Sequence, residues 1–286
     1  MQRPPHAPVA AIVQMTSGID PDANLQVVDH ALAAAAAEGA AMAFFPEMSL
    51  LLDRDRQRSA AHMQREVDSP WPAALAKMAR RHHIWLHSGS MPLLADDGER
   101  RVNRSHVIDD KGEVRARYDK IHMFDVTLPT GENWTESAAY VGGDAIVLVD
   151  TPLGRLGLSI CYDLRFPELY RALVDGGAEL IAIPAAFTVP TGEAHWHPLL
   201  RARAIETACH VLAAAQAGTH ADGRATFGHS LAVDPWGTVL TDMGVQKADG
   251  AAGYNIGFVA IDAQARNRAR AAIPLARSRS VRTMGL

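Results

Sequence analysis

Glu47, Lys120 and Cys161 each follow a stretch of the sequence that is typical of a β-strand, and the stretches before Glu47 and Cys161 are apolar. In open α/β sheets, side chains at the carboxyl ends of strands reach the crevice in which ligands bind. A thiol is a nucleophile, a carboxylate can accept the thiol proton, and an ammonium can stabilise negative charge on a reacting carbonyl oxygen. These residue types in these positions therefore predict covalent catalysis by a cysteine.

Cys161 has a setting that Cys209, the second cysteine of the sequence, lacks. A strand is predicted up to residue 160 and a helix over residues 166–175, which puts Cys161 in a strand-to-helix turn. We expect this turn to expose the thiol, to offer backbone N–H groups to an oxyanion, and to favour the thiolate through the positive end of the helix dipole. Cys209 lies inside an apolar run, and we expect it in the core.

The base that takes the thiol proton has two candidate classes. The sequence contains 13 histidines, and His122 and His195 lie near the candidate loops, so a cysteine–histidine pair is one arrangement. Glu47 is the alternative, provided that partial burial raises its pKa toward neutrality. In that arrangement we expect Lys120 to lower the thiol pKa and then to hold the oxyanion.

The elements that must position these residues alternate along the chain. Asp20 as N-cap and Pro21 in the first turn predict a helix that ends near Gly39, and residues 101–109 and 113–118 predict a hairpin. Further helices are predicted from residue 69, at 166–175 and at 193–210, and further strands at 9–15, 40–45, 84–90, 145–150, 155–160, 179–184, 211–216, 229–234, 238–243 and 253–262. We therefore expect one α/β domain in which two layers of sheet are covered by helices.

The composition describes an ordinary globular protein of 286 residues, 48% hydrophobic and 21% charged. A net charge of −4 provides no field that attracts nucleic acid or an anionic membrane. Two cysteines cannot form a disulfide framework, and the N-terminal segment is typical of neither a signal peptide nor a membrane span. These features predict a soluble, cytoplasmic protein. The absence of a Walker A or Gly-x-Gly-x-x-Gly motif predicts that it uses no nucleotide cofactor.

Two histidine pairs are the remaining candidate ligands of a metal site. His82 and His83 are adjacent, and His195 and His197 flank Trp196. We expect no acidic or thiol ligand to cluster with either pair, and we therefore predict no metal.

The C-terminal segment is basic, since no acidic residue follows Asp262. Six arginines lie beyond it, namely Arg266, Arg268, Arg270, Arg277, Arg279 and Arg282. A nucleic-acid-binding arm would carry such charge, but the segment lacks aromatic residues and the rest of the chain is acidic. We therefore expect one domain over residues 9–273 and a tail, residues 274–286, that docks at a subunit interface.

Three segments together resemble the nitrilase superfamily of carbon–nitrogen hydrolases. They are Phe44-Phe45-Pro46-Glu47, Tyr118-Asp119-Lys120-Ile121-His122-Met123-Phe124-Asp125 and Ser159-Ile160-Cys161-Tyr162-Asp163-Leu164-Arg165-Phe166-Pro167-Glu168. The resemblance extends from residue 9 to about residue 273. It implies a Glu–Lys–Cys triad of Glu47, Lys120 and Cys161, a four-layer α-β-β-α sandwich and no cofactor.

Within the superfamily, the chain is most similar to the amidase branch that acts on deaminated glutathione. The supporting segments are Pro184-Ala185-Ala186-Phe187, Gly192-Glu193-Ala194-His195-Trp196-His197 and the Tyr162-Asp163 that follows Cys161. The resemblance implies a homodimer that pairs through helices, for which residues 166–175 and 193–210 are the candidates.

The resemblance also implies a second glutamate in the site, between the lysine and the cysteine. Glu132 and Glu136 both lie there, and the resemblance favours Glu136, sixteen residues after Lys120. For substrate binding it suggests the backbone N–H of Tyr162 as an oxyanion donor.

Arg165 is a candidate cation for an anionic substrate, with an ion pair to Glu168 as the alternative, and His195 is a further candidate contact. The implied reaction is hydrolysis of a small-molecule amide through a thioester, with release of ammonia from a primary amide. An N-carbamoyl-amine amidohydrolase and an aliphatic nitrilase would use the same triad. A catalytically silent interaction scaffold is the alternative of another class.

Overall fold

The computed structural model describes residues 7–127, 131, 133–245 and 253–274. Within these residues the strands, in chain order, are β1 (Val9–Met15), β2 (Met42–Phe44), β3 (Trp85–His87), β4 (Met91–Leu94), β5 (Arg101–Ile108), β6 (Val114–Asp119), β7 (Asp125–Thr127), β8 (Asn133–Thr135), β9 (Leu148–Thr151), β10 (Gly154–Leu158), β11 (Leu180–Ala182), β12 (His210–Ala213), β13 (Ala217–Thr219), β14 (Ala225–Phe227), β15 (Leu231–Val233), β16 (Val239–Asp242) and β17 (Tyr254–Ala260).

The helices of the same residues, in chain order, are α1 (Pro21–Ala37), α2 (Arg56–Ala60), α3 (Pro70–His82), α4 (Pro167–Asp175), α5 (Val189–Thr191), α6 (His197–Thr207) and α7 (Ala263–Ala272). Short 3₁₀ turns cover Glu136–Ala138 and Cys161–Arg165, and a π-helical turn covers Gly192–Trp196. None of these helices has the length and apolar character needed to cross a bilayer.

Most strands belong to two large sheets. The first sheet has the order β17-β1-β2-β3-β5-β4, with β6 paired to β5, and the second has the order β16-β15-β12-β11-β10-β9. Neighbours in the middle of each sheet, β1-β2-β3 and β10-β11-β12, are parallel, and the outer pairs are antiparallel. Parallel strands are found where both faces of a sheet are covered, so both sheets are expected to lie between other layers.

Alternate residues of β1 show how the layers are stacked. Ala11 and Val13 pack into one buried cluster with Leu32 of α1, whereas Ile12 packs into the cluster that contains Leu158 of the second sheet. Successive side chains of a strand point to opposite faces, so the first sheet has helices on one face and the second sheet on the other. The helices α4 and α6 cover the outer face of the second sheet. The predicted four-layer α-β-β-α sandwich is therefore confirmed.

Local sequence signals account for several element boundaries. The Asp20 carboxylate accepts a hydrogen bond from the backbone N–H of Asp22 at 3.0 Å, which caps α1 as predicted. The predicted helix over residues 193–210 is only partly right, because it begins as a π-helical turn and α6 ends at Thr207. Ala208 then adopts the left-handed conformation with φ of 48°, which ends the helix before β12.

Several short elements were not predicted from the sequence. They include strand β4, helices α2 and α5, the hairpin of β7 and β8, and the hairpin of β13 and β14. Each is only three to five residues long, so its sequence shows too little hydrophobic periodicity to distinguish it from a loop.

Helix α7 packs against its own chain. Arg266 forms an ion pair with Glu179 at 2.8 Å, and Arg270 donates to the backbone carbonyl of Ala178 at 2.8 Å. These two arginines therefore serve intramolecular packing. Residues 275–286 of the predicted docking tail lie outside the described residues.

Candidate active site

Glu47, Lys120 and Cys161 come together where the two sheets meet. Glu47 follows β2, Lys120 follows β6 and Cys161 follows β10, so two of the three come from the first sheet and one from the second. Lys120 Nζ lies 3.1 Å from Glu47 Oε1, and the Cys161 thiol is hydrogen-bonded to the Glu47 side chain. All three side chains are buried. The structure thus assembles the predicted triad from residues 73 and 41 positions apart along the chain.

Glu47 is held by donors from three elements. Its Oε1 accepts from Asn103 Nδ2 at 2.9 Å and from Lys120 Nζ, and its Oε2 accepts from the backbone N–H of Ala186 at 2.9 Å. These donors fix the carboxylate at the position from which it reaches the thiol. Asn103 was not predicted. A polar residue in the middle of the β5 stretch, where a core side chain is expected, was the signal that could have identified it.

Lys120 lies between two carboxylates. Its ammonium donates to Glu136 Oε1 at 3.0 Å and Oε2 at 2.8 Å, in addition to Glu47. Burial alone would lower the pKa of Lys120, but the charges of Glu136 and Glu47 raise it well above its usual value. Lys120 is therefore a fixed positive charge. Glu136 in turn accepts from the backbone N–H of Phe124 at 2.7 Å, whereas Glu132, the alternative second glutamate, lies outside the described residues.

Cys161 adopts a strained backbone conformation with φ of 50° in the left-handed region. Non-glycine residues in this region cluster at functional sites, where neighbouring structure enforces the conformation. Here the Cys161 N–H donates to the carbonyl of Pro184 at 2.9 Å, and the 3₁₀ turn Cys161–Arg165 separates the thiol from α4. Cys161 therefore does not lie at the N terminus of α4.

The expectation of a lowered thiol pKa is wrong for this site. Burial and the negative charge of Glu47 raise the pKa of the Cys161 thiol well above its usual value, and the opposing effect of Lys120 is smaller. The resting side chain is therefore a protonated thiol. A nearby base must accept its proton as the sulfur attacks, and Glu47 is in place to do so.

The turn that carries Cys161 is tied to the loop that carries Lys120. The buried carboxylate of Asp163 accepts from Tyr118 Oη at 2.7 Å, from the backbone N–H of His122 at 3.0 Å and from the backbone N–H of Ile160 at 2.9 Å. This role of Asp163 was not predicted. An acid directly inside an apolar motif was the available signal for this role.

Neither candidate histidine is a partner of the Cys161 thiol. The ring of His122 contacts Asp163 through Nδ1 at 2.7 Å and stacks on Phe166, and His195 Nδ1 lies 3.2 Å from Arg165 Nη1. The histidines are thus engaged away from the thiol. This result leaves Glu47 as the candidate that contacts Cys161.

Arg165 is available to an anionic ligand. Its guanidinium lies over the rings of Tyr162 and Phe187, and it makes no ion pair with Glu168 or with any other carboxylate of the described residues. The alternative of an intramolecular ion pair is therefore wrong. Arg165 and Tyr162 line the cavity described next, whereas the exposed His195 contacts Arg165 from outside the lining.

A cavity of about 980 Å³ opens above the triad. Its inner wall includes the triad and Glu136, and an aromatic wall of Phe124, Trp134, Tyr162 and Phe187 lies beside them. The outer wall carries residues of helix α2 and of strands β8 and β14, which were among the elements not predicted. This volume is at the upper end of the range for small-molecule sites and exceeds what a simple primary amide needs.

Both histidine pairs have a carboxylate beside them, contrary to the expectation. His82 Nε2 lies 2.7 Å from Asp29 Oδ1, and His197 Nε2 lies 2.9 Å from Asp242 Oδ2. His229 Nδ1 contacts the second oxygen of Asp242 at 2.8 Å, so the ligand atoms of His197, His229 and Asp242 lie within 4.8 Å of one another. This cluster is separate from the cavity lining.

Comparison with known proteins agrees with this geometry. The profile of the family described as carbon-nitrogen hydrolase matches residues 9–271. A deaminated glutathione amidase from Yersinia enterocolitica is 43% identical over 232 residues, which cover 80% of each chain.

Two solved structures share the fold. The NitFhit protein of C. elegans has a TM-score of 0.82 at 36% identity, and the match covers 96% of this chain and 66% of that one. An amidase variant from Nesterenkonia sp. AN1, with acrylamide added to its active-site cysteine, has a TM-score of 0.75 at 28% identity and covers 94% and 99%. The chain therefore belongs to the carbon–nitrogen hydrolase family, within the nitrilase superfamily, and is an enzyme of the amidase type.

Proposed function

We propose that the protein hydrolyses the amide bond of deaminated glutathione or of a related 2-oxoglutaramate-like ω-amide, with Cys161 as nucleophile. One observation supports this proposal most directly. The Cys161 thiol contacts the carboxylate of Glu47, beside the ammonium of Lys120. The relatives named as deaminated glutathione amidases favour this substrate. Arg165 has no carboxylate partner among the described residues, which gives a reason for an anionic substrate, since guanidinium binds carboxylates in a bidentate manner.

The first half of the reaction forms a thioester. Glu47 takes the proton of the thiol as sulfur bonds to the amide carbon, and the Lys120 ammonium and the Tyr162 N–H hold the negative oxygen. One such oxyanion donor is worth about 3–4 kcal/mol of transition-state stabilisation. The carbon–nitrogen bond then breaks as Glu47 returns its proton to the nitrogen, and the amine departs.

The second half releases the acid. Glu47 takes a proton from water as the water oxygen bonds to the thioester carbon, the carbon–sulfur bond breaks, and the sulfur regains a proton from Glu47. Glu136 keeps Lys120 in position throughout, because it binds the ammonium with both oxygens. The chain's own groups therefore supply every proton transfer in this proposal.

The leaving group depends on the substrate. A primary ω-amide releases ammonia, as expected from the sequence, whereas deaminated glutathione is a secondary amide and releases the amine of cysteinylglycine. The appropriate readouts are therefore ammonia for 2-oxoglutaramate and cysteinylglycine for deaminated glutathione.

The main test is intact-protein mass spectrometry during turnover of deaminated glutathione, with cysteinylglycine measured in parallel. We expect a transient acyl adduct on the wild-type protein and neither adduct nor product with Cys161→Ala. Turnover by Cys161→Ala at the wild-type rate would overturn the role of Cys161. Turnover only of an N-carbamoyl amine or of an aliphatic nitrile would replace the proposed substrate, and no turnover of any of these compounds would favour a silent scaffold.

We also propose that the enzyme acts as a homodimer in a reducing, cytoplasmic compartment. The exposed side chains of Ile205 on α6 and Trp236 beside it form an apolar surface on the face of the predicted pairing helices. Both cysteines are unpaired, and the proposed chemistry needs a reduced thiol at Cys161.

A further inference from the structure

The cavity has guanidinium groups at both ends of its aromatic wall. Arg165 lies 5.7 Å from the ring of Tyr162, and Arg224 lies 5.5 Å from the ring of Trp134. Phe124 joins the two rings, with centroid distances of 5.1 Å to Tyr162 and 6.1 Å to Trp134. The two cationic ends are therefore separated by the width of three aromatic side chains.

Arg165 belongs to the inner end, since it shares the 3₁₀ turn of Cys161. The outer end is formed by Arg54 and Arg56 together with Arg224. Arg54 and Arg56 are exposed at the cavity mouth, and Arg54 extends toward Gly223, next to Arg224. We call Arg54, Arg56 and Arg224 the outer arginines.

Most of the positive charge of the outer arginines is not balanced by ion pairs with described residues. Arg56 donates one hydrogen bond to the carbonyl of Thr135 at 3.1 Å, and the Arg54 guanidinium has no hydrogen-bond or ion-pair partner among the described residues. Among the outer arginines, only Arg224 forms an ion pair with a described residue, from its Nε to Asp222 at 2.8 Å. Its two terminal nitrogens remain available to a ligand.

The carboxylates at this end of the cavity are already engaged. Asp53 binds Arg58 with both oxygens at 2.7 Å, and Asp55 accepts the backbone N–H groups of Gln57 and Arg58 at the start of α2. Arg58 is not part of the cavity lining. The described residues therefore offer Arg54 and Arg56 no carboxylate, although two acids lie beside them in sequence.

We propose that the outer arginines bind a second carboxylate, carried on the leaving group of the substrate. A carboxylate at Arg165 belongs to the acyl part, because Arg165 lies in the turn of the nucleophile. A carboxylate at the solvent-facing mouth belongs to the part that departs as an amine. The enzyme then selects an elongated secondary amide with a carboxylate at each end over a short primary ω-amide.

This inference rests on the proposed function, and three substrates test it. They are deaminated glutathione, the same compound with its C-terminal carboxylate converted to a carboxamide, and 2-oxoglutaramate. The wild-type enzyme is expected to prefer the first over the second in kcat/KM. Charge-assisted hydrogen bonds of this kind are worth roughly 10- to 100-fold in binding, and the difference is expected mainly in KM.

The double variant Arg54→Gln/Arg56→Gln is expected to remove most of this preference. Arg54→Lys/Arg56→Lys keeps the charge and should retain a large part of it, which a merely structural role of the arginines would not predict. Arg115→Gln, an exposed arginine on β6 that pairs with Glu113, is the matched control and should keep the wild-type ratio. Raising the ionic strength should reduce the preference, because an exposed subsite is screened by salt.

Equal rates of the wild-type enzyme with the carboxylate and carboxamide compounds would overturn the inference. An equal loss on both compounds in the glutamine variant would also overturn it. If the wild-type enzyme turns over none of the three substrates, the proposed function has failed. Protection of Cys161 against iodoacetamide by the same two compounds then decides whether the outer arginines bind a carboxylate, and equal protection contradicts it.

Discussion

Asp163 accepts hydrogen bonds from both the backbone N–H and the ring Nδ1 of His122, at 3.0 and 2.7 Å. Asp163 belongs to the turn of Cys161, whereas His122 lies two residues after Lys120. A single buried carboxylate thereby sets the position of the nucleophile relative to the ammonium that faces it. The triad geometry thus depends on a residue that takes no part in the proposed chemistry.

Asp163→Asn is expected to damage both stability and catalysis. The amide keeps the size of the side chain but loses the charge and one acceptor, which leaves buried donors unpaired. We expect a loss of about 3 kcal/mol in the free energy of unfolding, as for other broken buried pairs. A displacement of the thiol by about 1 Å would lower kcat by roughly 100-fold.

Urea denaturation and steady-state kinetics at neutral pH measure the two effects of Asp163→Asn. Asp150→Asn is the control, since the Asp150 side chain is 88% exposed. Wild-type stability and kcat in Asp163→Asn would contradict the role of this carboxylate.

Glu47→Gln is expected to make the Cys161 thiol more acidic and at the same time to abolish amidase activity. Glu47 raises the pKa of Cys161 by its charge and hydrogen bond, whereas Lys120 lowers it. Removing the negative charge while Lys120 remains should therefore lower the thiol pKa by one unit or more, in line with the usual range of about 1–3 units for a neighbouring charge. The variant should be inactive as an amidase, because it lacks the base, and yet contain more thiolate at neutral pH.

The rate of Cys161 alkylation by iodoacetamide between pH 6 and 10 measures this pKa. We expect the wild-type rate to rise throughout this range and the Glu47→Gln rate to be at least about tenfold higher near pH 7. Glu168→Gln, an exposed acid near the same turn, should follow the wild-type profile. A higher thiol pKa in Glu47→Gln would contradict the assigned geometry.

The triad was predictable because each member follows a strand in a short motif. The partners that fix it were harder to predict, since Asn103 and Ala186 approach Glu47 from 56 and 139 residues away. The thiol pKa was predicted wrongly because burial and Glu47, which depend on tertiary packing, outweigh the local turn. The outer arginines were missed for another reason. Arg56 begins α2, Arg54 precedes this helix and Arg224 directly precedes β14, in short stretches whose sequences resemble ordinary surface loops.

His87 is expected to make stability depend on pH. Burial, together with the charge of His106, lowers the pKa of His87 to about 3, compared with 6.5 in the unfolded chain. The unfolded state therefore binds a proton more readily between these values, so stability is complete above pH 6.5 and falls as the pH is lowered toward 3. Each pH unit in this window costs about 1.4 kcal/mol for one proton, or roughly 2 kcal/mol between pH 7 and pH 5.

Urea unfolding at pH 7 and pH 5 measures this contribution. Between pH 7 and pH 5, the free energy of unfolding of His87→Gln should fall by roughly 2 kcal/mol less than that of the wild type. This difference is expected whatever the absolute stability of the variant. His30→Gln, on the exposed face of α1, is the control. An unchanged pH dependence in His87→Gln would show that His87 is protonated equally in both states.

The surface of α6 should determine the oligomeric state. Ile205 and Trp236 are 47% and 60% exposed, and the turn after Trp236 packs on α6 through a hydrogen bond from Arg201 Nε to the carbonyl of Gly237 at 2.9 Å. A stable dimer buries about 800 Å² on each partner, with large apolar side chains near its centre. We therefore expect the wild-type protein to sediment as a dimer and Ile205→Asn/Trp236→Ser to sediment as a monomer at micromolar concentration.

Val67→Ser is the control for this prediction. It removes an apolar side chain that is 85% exposed outside this surface, and the variant should remain dimeric. A monomeric wild-type protein, or a double variant that stays dimeric, would exclude this surface as the interface.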